Sequence, residues 1–318
     1  MKRIFLFLAV NILVVVTVSL LLNILGIRPY LSERGLDYGA LLAFCALFGF
    51  AGSFISLGLS RWMAKTMMGV VLIDPSRPGS DAEGLLVEKV RALSSQAGLG
   101  ALPEIGIYAS PEVNAFATGP TSSRALVAVS TGLLERLDDS AVEGVLAHEI
   151  AHVANGDMVT MTLLQGVANT FVMFFARVIA FAIDQGLRSR DSDSRERGGL
   201  GPFAHYMVVM LLETVLMLLA STLIYAFSRW REYRADAGGA RLAGRGKMIH
   251  ALESLKDYQD RVDTRQGALA TMKINGKGRG LLGMLFSSHP SLDDRIRRLQ
   301  EAALPPRALR TSRAGPVP

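Results

Sequence analysis

His148-Glu149-Ile150-Ala151-His152 sets two imidazoles four residues apart, with a carboxylate directly after the first. On a helix, residues four apart share a face, their Cβ atoms about 5–6 Å from each other. Two imidazoles so placed can bind one Zn²⁺ at about 2.0–2.1 Å. The glutamate between them can act as general base on water activated by that metal. Val142-Glu143-Gly144-Val145-Leu146-Ala147 leads in with apolar residues at helical spacing, and Asp138 or Asp139 can cap the helix start. The competing reading is a chance pair of core or capping histidines among the five in the chain.

A catalytic zinc takes three protein ligands and leaves one position open. Downstream, Arg231-Glu232-Tyr233-Arg234-Ala235-Asp236 offers the third ligand in Glu232. Asp236, four residues on, projects from the same face and can accept the free ring N–H of a ligating histidine, which sets its tautomer. Alone, a Glu-x-x-x-Asp pair flanked by arginines reads as a solvated helix face; beside the histidine motif it completes a ligand set.

These residues must be positioned by a chain that is half hydrophobic, with mean hydropathy +0.32. Apolar runs of 18 or so residues read as membrane helices. Four are present: Ile4–Leu25, Tyr38–Leu59, Met158–Ile183 and Tyr206–Phe227. The first follows Lys2 and Arg3 but is too long for a signal-peptide core, so it reads as an uncleaved anchor. The one cysteine, Cys45, lies in the second run and can form no disulfide within the chain. Met158–Ile183 contains Gln165, Asn169 and Arg177, and Tyr206–Phe227 contains Glu213.

Both histidines precede the third run and Glu232 follows the fourth, so the chain must leave and return to one side for all three to touch one ion. Lys2 and Arg3, Arg61 and Lys65, and Arg229, Arg231 and Arg234 flank runs one, two and four. They would face the cytoplasm with both termini inside. Asp184–His205 opposes this with Arg188, Arg190, Arg195 and Arg197. Three explanations stand: the loop crosses with its acids offsetting the arginines, runs three and four dip without crossing, or the orientation is reversed. The net charge of +6 suits an anionic leaflet. The basic residues are scattered and no nucleic-acid recognition motif accompanies them.

The soluble part is drawn from two pieces. In the first, Asp81–Gly98 has a helical pattern, and Glu104–Ser110 and Ala125–Ser130 read as short strands. The second begins with the Glu232 helix. It continues with a helix over Lys247–Val262, a flexible Gln266–Gly283, and a short helix from the Ser291 cap to about Ala302. Pro305–Pro318 reads as a disordered tail. The resulting division is 1–59 (two membrane helices), 60–157 (first catalytic piece), 158–227 (runs three and four), 228–304 (second catalytic piece) and 305–318 (tail).

His148–Asp157 and Arg231–Asp236 resemble the HtpX family of membrane zinc metalloproteases, bacterial relatives of the CAAX prenyl proteases. Asn114-Ala115-Phe116-Ala117-Thr118-Gly119, the four apolar runs and Ser288-His289-Pro290-Ser291 fit the same family. The resemblance implies an α+β fold, a zincin-like domain joined to a four-segment helical membrane region. It also implies one zinc ion per chain and a bacterial inner-membrane protein whose active site faces the cytoplasm. Its substrates would be membrane-protein or unfolded polypeptides, with quality control of damaged ones as the role. Asn114, Ala115, Phe116 and Ala117 would form an edge strand that pairs with extended substrate. On the residues alone this segment reads equally as a hairpin piece with a buried phenylalanine. His289 and Arg295 would line the active site, stabilising the oxyanion or anchoring substrate; by themselves they read as local and solvated features. His205 and His250 have no ligand spacing.

Two rival classes remain open: a non-enzymatic membrane protein with a structural zinc site, and a transport protein whose Gln165, Asn169, Arg177 and Glu213 mark a pathway. A structural site needs a fourth protein ligand, and no cysteine lies near the motif. The sequence specifies no oligomeric state.

Overall fold

A computed structural model describes residues 35–188, 199–265 and 289–302, together with 16, 17, 20, 24, 31 and 32. The Ile4–Leu25 anchor, Gln266–Gly283, Ser288 and the 305–318 tail therefore fall wholly or largely outside the described residues.

Asp37 opens the first long helix, α1 (Tyr38–Met67), by accepting from the Ala40 N–H at 3.0 Å. A two-residue bridge, β1 (Leu31–Ser32) against β2 (Gly35–Leu36), precedes it. Soluble elements follow: β3 (Val71–Leu72), α2 (Asp81–Gln96), β4 (Glu104–Tyr108), β5 (Ala115–Thr118), β6 (Leu126–Ser130), α3 (Thr131–Arg136) and α4 (Asp139–Asn155). Two long helices come next, α5 (Asp157–Arg188) and α6 (Gly201–Leu242), then α7 (Arg245–Arg265) and α8 (Leu292–Glu301). Helices therefore dominate around a small mixed sheet, as an α+β fold requires.

The sheet runs β3-β4-β6-β5; β4 and β6 are parallel and the other pairings antiparallel. Its side chains alternate cleanly. Ile105, Val127 and Val129 point into the main core with Val90 and Leu93 of α2 and Leu146, Ile150 and Val153 of α4. Tyr108, Leu126 and Ala128 point the other way, onto Ala64 near the end of α1, with Phe116 against them. Each fully buried Leu, Ile or Val contributes roughly 1.5–3 kcal/mol. This two-sided burial holds β5 beside the motif helix.

Among the described residues, α1, α5 and α6 are long and apolar enough to cross a membrane. At 1.5 Å per residue, α6 is about 63 Å long, twice a hydrocarbon core of about 30 Å. Leu211, Leu218, Leu219 and Leu223 are exposed on its apolar part, as lipid-facing residues would be. The divisions expected at residues 59 and 227 both fall inside helices. The reason is that α1 and α6 run on into the soluble layer. Arg61 and Lys65 of α1 pair there with Glu104 of β4, the lysine at 2.8 Å.

α5 and α6 are each unbroken helices, of 32 and 42 residues. Asp184 ties their far ends, accepting from the Leu200 N–H at 2.7 Å and pairing with Arg188 at 2.9 Å. Within the apolar layer the polar side chains find each other. Gln165 donates to Asn169 at 2.8 Å, and Arg177 pairs with Glu213 at 2.6 Å. Small residues bring α1 against α5: a Cβ on Gly49 would lie 2.8 Å from the Gly166 carbonyl oxygen.

Candidate metal centre

α4 begins as its sequence dictates. Asp138 accepts from the Ala141 N–H at 2.8 Å, capping the first turn, and the apolar stripe then buries one face in the core. His148 and His152 emerge on one side, both buried, with Glu149 between them half-buried. α6 crosses α4 at very short range because Ala235, Gly238 and Gly239 present almost no side chain. A Cβ on Gly238 would stand 2.7 Å from the Ala151 Cβ, and one on Gly239 3.1 Å from the His148 backbone nitrogen. That approach delivers the Glu232 carboxylate, 2 % exposed, to the two rings.

The Nε2 atoms of His148 and His152 are 3.1 Å apart. His148 Nε2 lies 3.5 Å from one Glu232 oxygen and His152 Nε2 3.4 Å from the other. Three donors at about 2.05 Å around a tetrahedral ion would be about 3.3 Å from one another. The ring nitrogens are close to that spacing, each faces its own oxygen of the carboxylate, and one donor atom from each of the three residues lies within 4.8 Å of the others; two imidazoles with a carboxylate are a donor set that zinc accepts. Among the described residues, these three form the cluster that could hold a metal.

The second ring nitrogens are also engaged. His148 Nδ1–H donates to Asp236 at 3.0 Å, as expected for the acid one turn beyond Glu232. His152 Nδ1–H donates to Asp157 at 2.6 Å. Asp157 has no role legible in the sequence, because it lies five residues on, across the end of α4. Its position directly after Gly156, a helix-ending residue, was the available signal. With both Nδ1 atoms donating, Nε2 is on each ring the nitrogen that can face a cation, although Arg295 Nη2 also lies 3.4 Å from that of His148.

Electrostatics follow from this packing. Burial disfavours a charged His152, but the bonds to Asp157 and Glu232 outweigh it and raise its pKa to about 9. Burial and Arg295 oppose charge on His148, yet Asp236 and Glu232 raise it as well. Glu232 lies one turn beyond the apolar part of α6. Burial works against its charge, but the three histidines around it hold its carboxyl far below the usual range.

His289 and Arg295 both reach this cluster. His289 Nδ1 is 3.0 Å from a Glu232 oxygen, while its side chain stays 62 % exposed. Arg295, on α8, is buried and grips Asp236 with two bonds, Nε at 2.8 Å and Nη2 at 2.6 Å. α8 is held in place by the Ser291 cap, which accepts from the Asp294 N–H at 3.1 Å, and by Leu299 packing on Met248 and Leu252 of α7. Asn114 precedes β5 and bonds through its backbone to Ser130, while Ala115, Phe116 and Ala117 lie in β5, an edge of the sheet. Among the described residues, the outer side of β5 has no strand partner. His250 is elsewhere, bonded to Asp138 at 2.7 Å.

Residues 81–303 match the family model described as Peptidase family M48. The chain is 54% identical over 305 residues to a Bacillus licheniformis protein named "Protease HtpX homolog", covering 94% of this chain and 99% of that one. A Bacillus subtilis protein of the same name is 52% identical, and "Protease HtpX" of Chromohalobacter salexigens is 50% identical, each with 99% of its length covered. Both alignments take in nearly all of this chain, 94% and 95%. The crystal structure of S. mikatae Ste24p superposes with a TM-score of 0.59 at 18% identity, over 94% of this chain and 64% of that one. This chain thus spans under two thirds of Ste24p, and the likeness is one of fold.

Proposed function

Because the chain belongs to the HtpX proteases of peptidase family M48 and is a membrane-bound metalloprotease, we propose that it is a zinc endopeptidase of a bacterial cytoplasmic membrane. It would hold one zinc ion and cut membrane-protein or unfolded polypeptide chains close to the bilayer. The observation that carries this reading is the buried cluster of His148, His152 and Glu232, whose facing ring nitrogens are 3.1 Å apart and each within 3.5 Å of a Glu232 oxygen.

In this reading those three side chains hold the ion. Zinc there supplies Lewis-acid polarisation of a peptide carbonyl and acidifies water toward a pKa of about 7. Glu149, the half-buried member of the motif, takes the proton from water and delivers it to the leaving amine. His289, with Nδ1 3.0 Å from a Glu232 oxygen and a side chain 62 % exposed, would donate to the oxyanion. Arg295 is too buried to meet substrate freely; its two hydrogen bonds to Asp236 favour a role in aiming His148. The free edge of β5, packed next to α4, would add substrate as a further antiparallel or parallel strand. Arginines at the ends of α1 and α6 nearest the site support a cytoplasmic orientation of this layer. The role in this reading is removal of damaged membrane proteins, as the resemblance to the HtpX family implies.

Metal content and proteolysis of wild type and Glu149→Ala, measured together on detergent-purified protein, test the reading. The variant should keep its zinc and lose about 10²–10⁴-fold in rate. Full activity would remove Glu149 as the base. Cleavage of a single-span substrate with an unfolded segment beside the membrane, against the same segment folded, tests the substrate class. Equal cleavage of both would remove unfolded chains as the preferred target.

A further inference from the structure

α4 carries both rings of the cluster but neither acid that aims them. Asp236 lies on α6, and Asp157 is the first residue of α5. An acid at a helix start is often no more than a partner for the helix dipole, contributing about 0.3–1 kcal/mol. Asp157 differs in two respects. It is 3 % exposed, and its Oδ2 accepts from His152 Nδ1–H at 2.6 Å. A carboxylate so buried is stable only with a strong donor opposite it.

The backbone explains how the two meet. In one continuous helix, residues five apart point about 140° away from each other, so Asp157 could not face the His152 ring. Gly156 interrupts the helix with φ 67° and ψ 30°, and its N–H bonds back to the carbonyls of His152 and Val153. The chain turns there, and α5 starts with its first carboxylate beside the ring.

Resting on the zinc-site reading above, we propose that Asp157 is a positioning residue that orients His152 for the metal. The seam between the motif helix and membrane helix α5 is then part of the metal centre. Together with Asp236, it means that each ligating ring is aimed by an acid borne on a bilayer-crossing helix.

The test uses full-length protein in detergent and two readouts: zinc affinity by competition with a chromogenic chelator, and the visible spectrum of the Co²⁺-loaded protein. Asp157→Ala should weaken zinc about 10–100-fold, the range for an orienting partner of a ligand, and alter the Co²⁺ bands. Asp157→Asn keeps an oxygen that accepts from Nδ1–H, so it should recover most of the affinity and a wild-type-like spectrum. Wild-type affinity and spectrum in Asp157→Ala would overturn the proposal, as would an Asn variant no better than Ala. Glu232→Ala, run alongside, separates the two claims. If it retains zinc, the ligand set is wrong; if it loses zinc while Asp157→Ala does not, only the role of Asp157 fails.

Discussion

Gly238→Ala adds one methyl group where α6 crosses α4. The new Cβ would lie 2.7 Å from the Ala151 Cβ, so α6 must retreat by about 1 Å to reach ordinary contact. Overpacking of this kind costs about 1–3 kcal/mol. Alanine returns about 0.8–1.0 kcal/mol of helix propensity over glycine. The net loss of stability is then about 0–2 kcal/mol, a small effect. The metal site should respond more strongly. Glu232 rides on the same helix, and metal–ligand distances tolerate only about ±0.2 Å. Zinc affinity should fall at least about tenfold, the lower bound for disturbing what supports a ligand. Ala151→Gly in the same chain removes the opposing methyl group and should restore affinity, while the two propensity changes cancel. Chelator competition and thermal unfolding in detergent read both quantities. Unaltered zinc binding in Gly238→Ala, or no recovery in the double variant, would show that this close crossing does not set the ligand distances.

The buried histidines give a pH signature. With zinc removed by chelator, His152 has a pKa of about 9 against 6.5 in the unfolded chain, so the stability it contributes is complete below 6.5 and is lost as pH rises through 9; a melting temperature that climbs over that interval would contradict the assignment. In the membrane layer, Glu213→Gln or Arg177→Met alone should lower the melting temperature more than the two together, because one partner is left as an unmatched charge worth up to about 3–5 kcal/mol. Additive losses in a double-mutant cycle would refute that coupling.

Much of this site could be read from residue order because its parts are local. Asp138 caps the motif helix, His148 and His152 share a face, and Asp236 follows Glu232 by one turn, so each relation is contained within one helix. The strands at 104–108 and 126–130 were similarly visible from their apolar runs between turns. What stayed hidden depends on contacts between elements. Asp157 reaches His152 only because Gly156 leaves the right-handed helix, and a spacing of five has no meaning until that turn is known. Arg295 shows its partner, Asp236, only once α8 is seated. Gly238 and Gly239 look like helix weaknesses in a sequence, and become a contact surface only when α4 is laid across them. The strand at Val71–Leu72 is too short to leave any periodicity. The polar residues inside the apolar runs, whose pairings no spacing in the sequence indicates, bond Gln165 with Asn169 and Arg177 with Glu213.

The order of α4, α5 and α6 along the chain has a consequence for biosynthesis. The ribosome makes the two histidines first, then the membrane hairpin, and only afterwards the carboxylate that joins them. If Glu232 is the third ligand, a nascent or misrouted chain carries an incomplete site until its hairpin has been threaded into lipid. Destructive activity would then be withheld from the cytosol by topology itself, with no inhibitor or propeptide required.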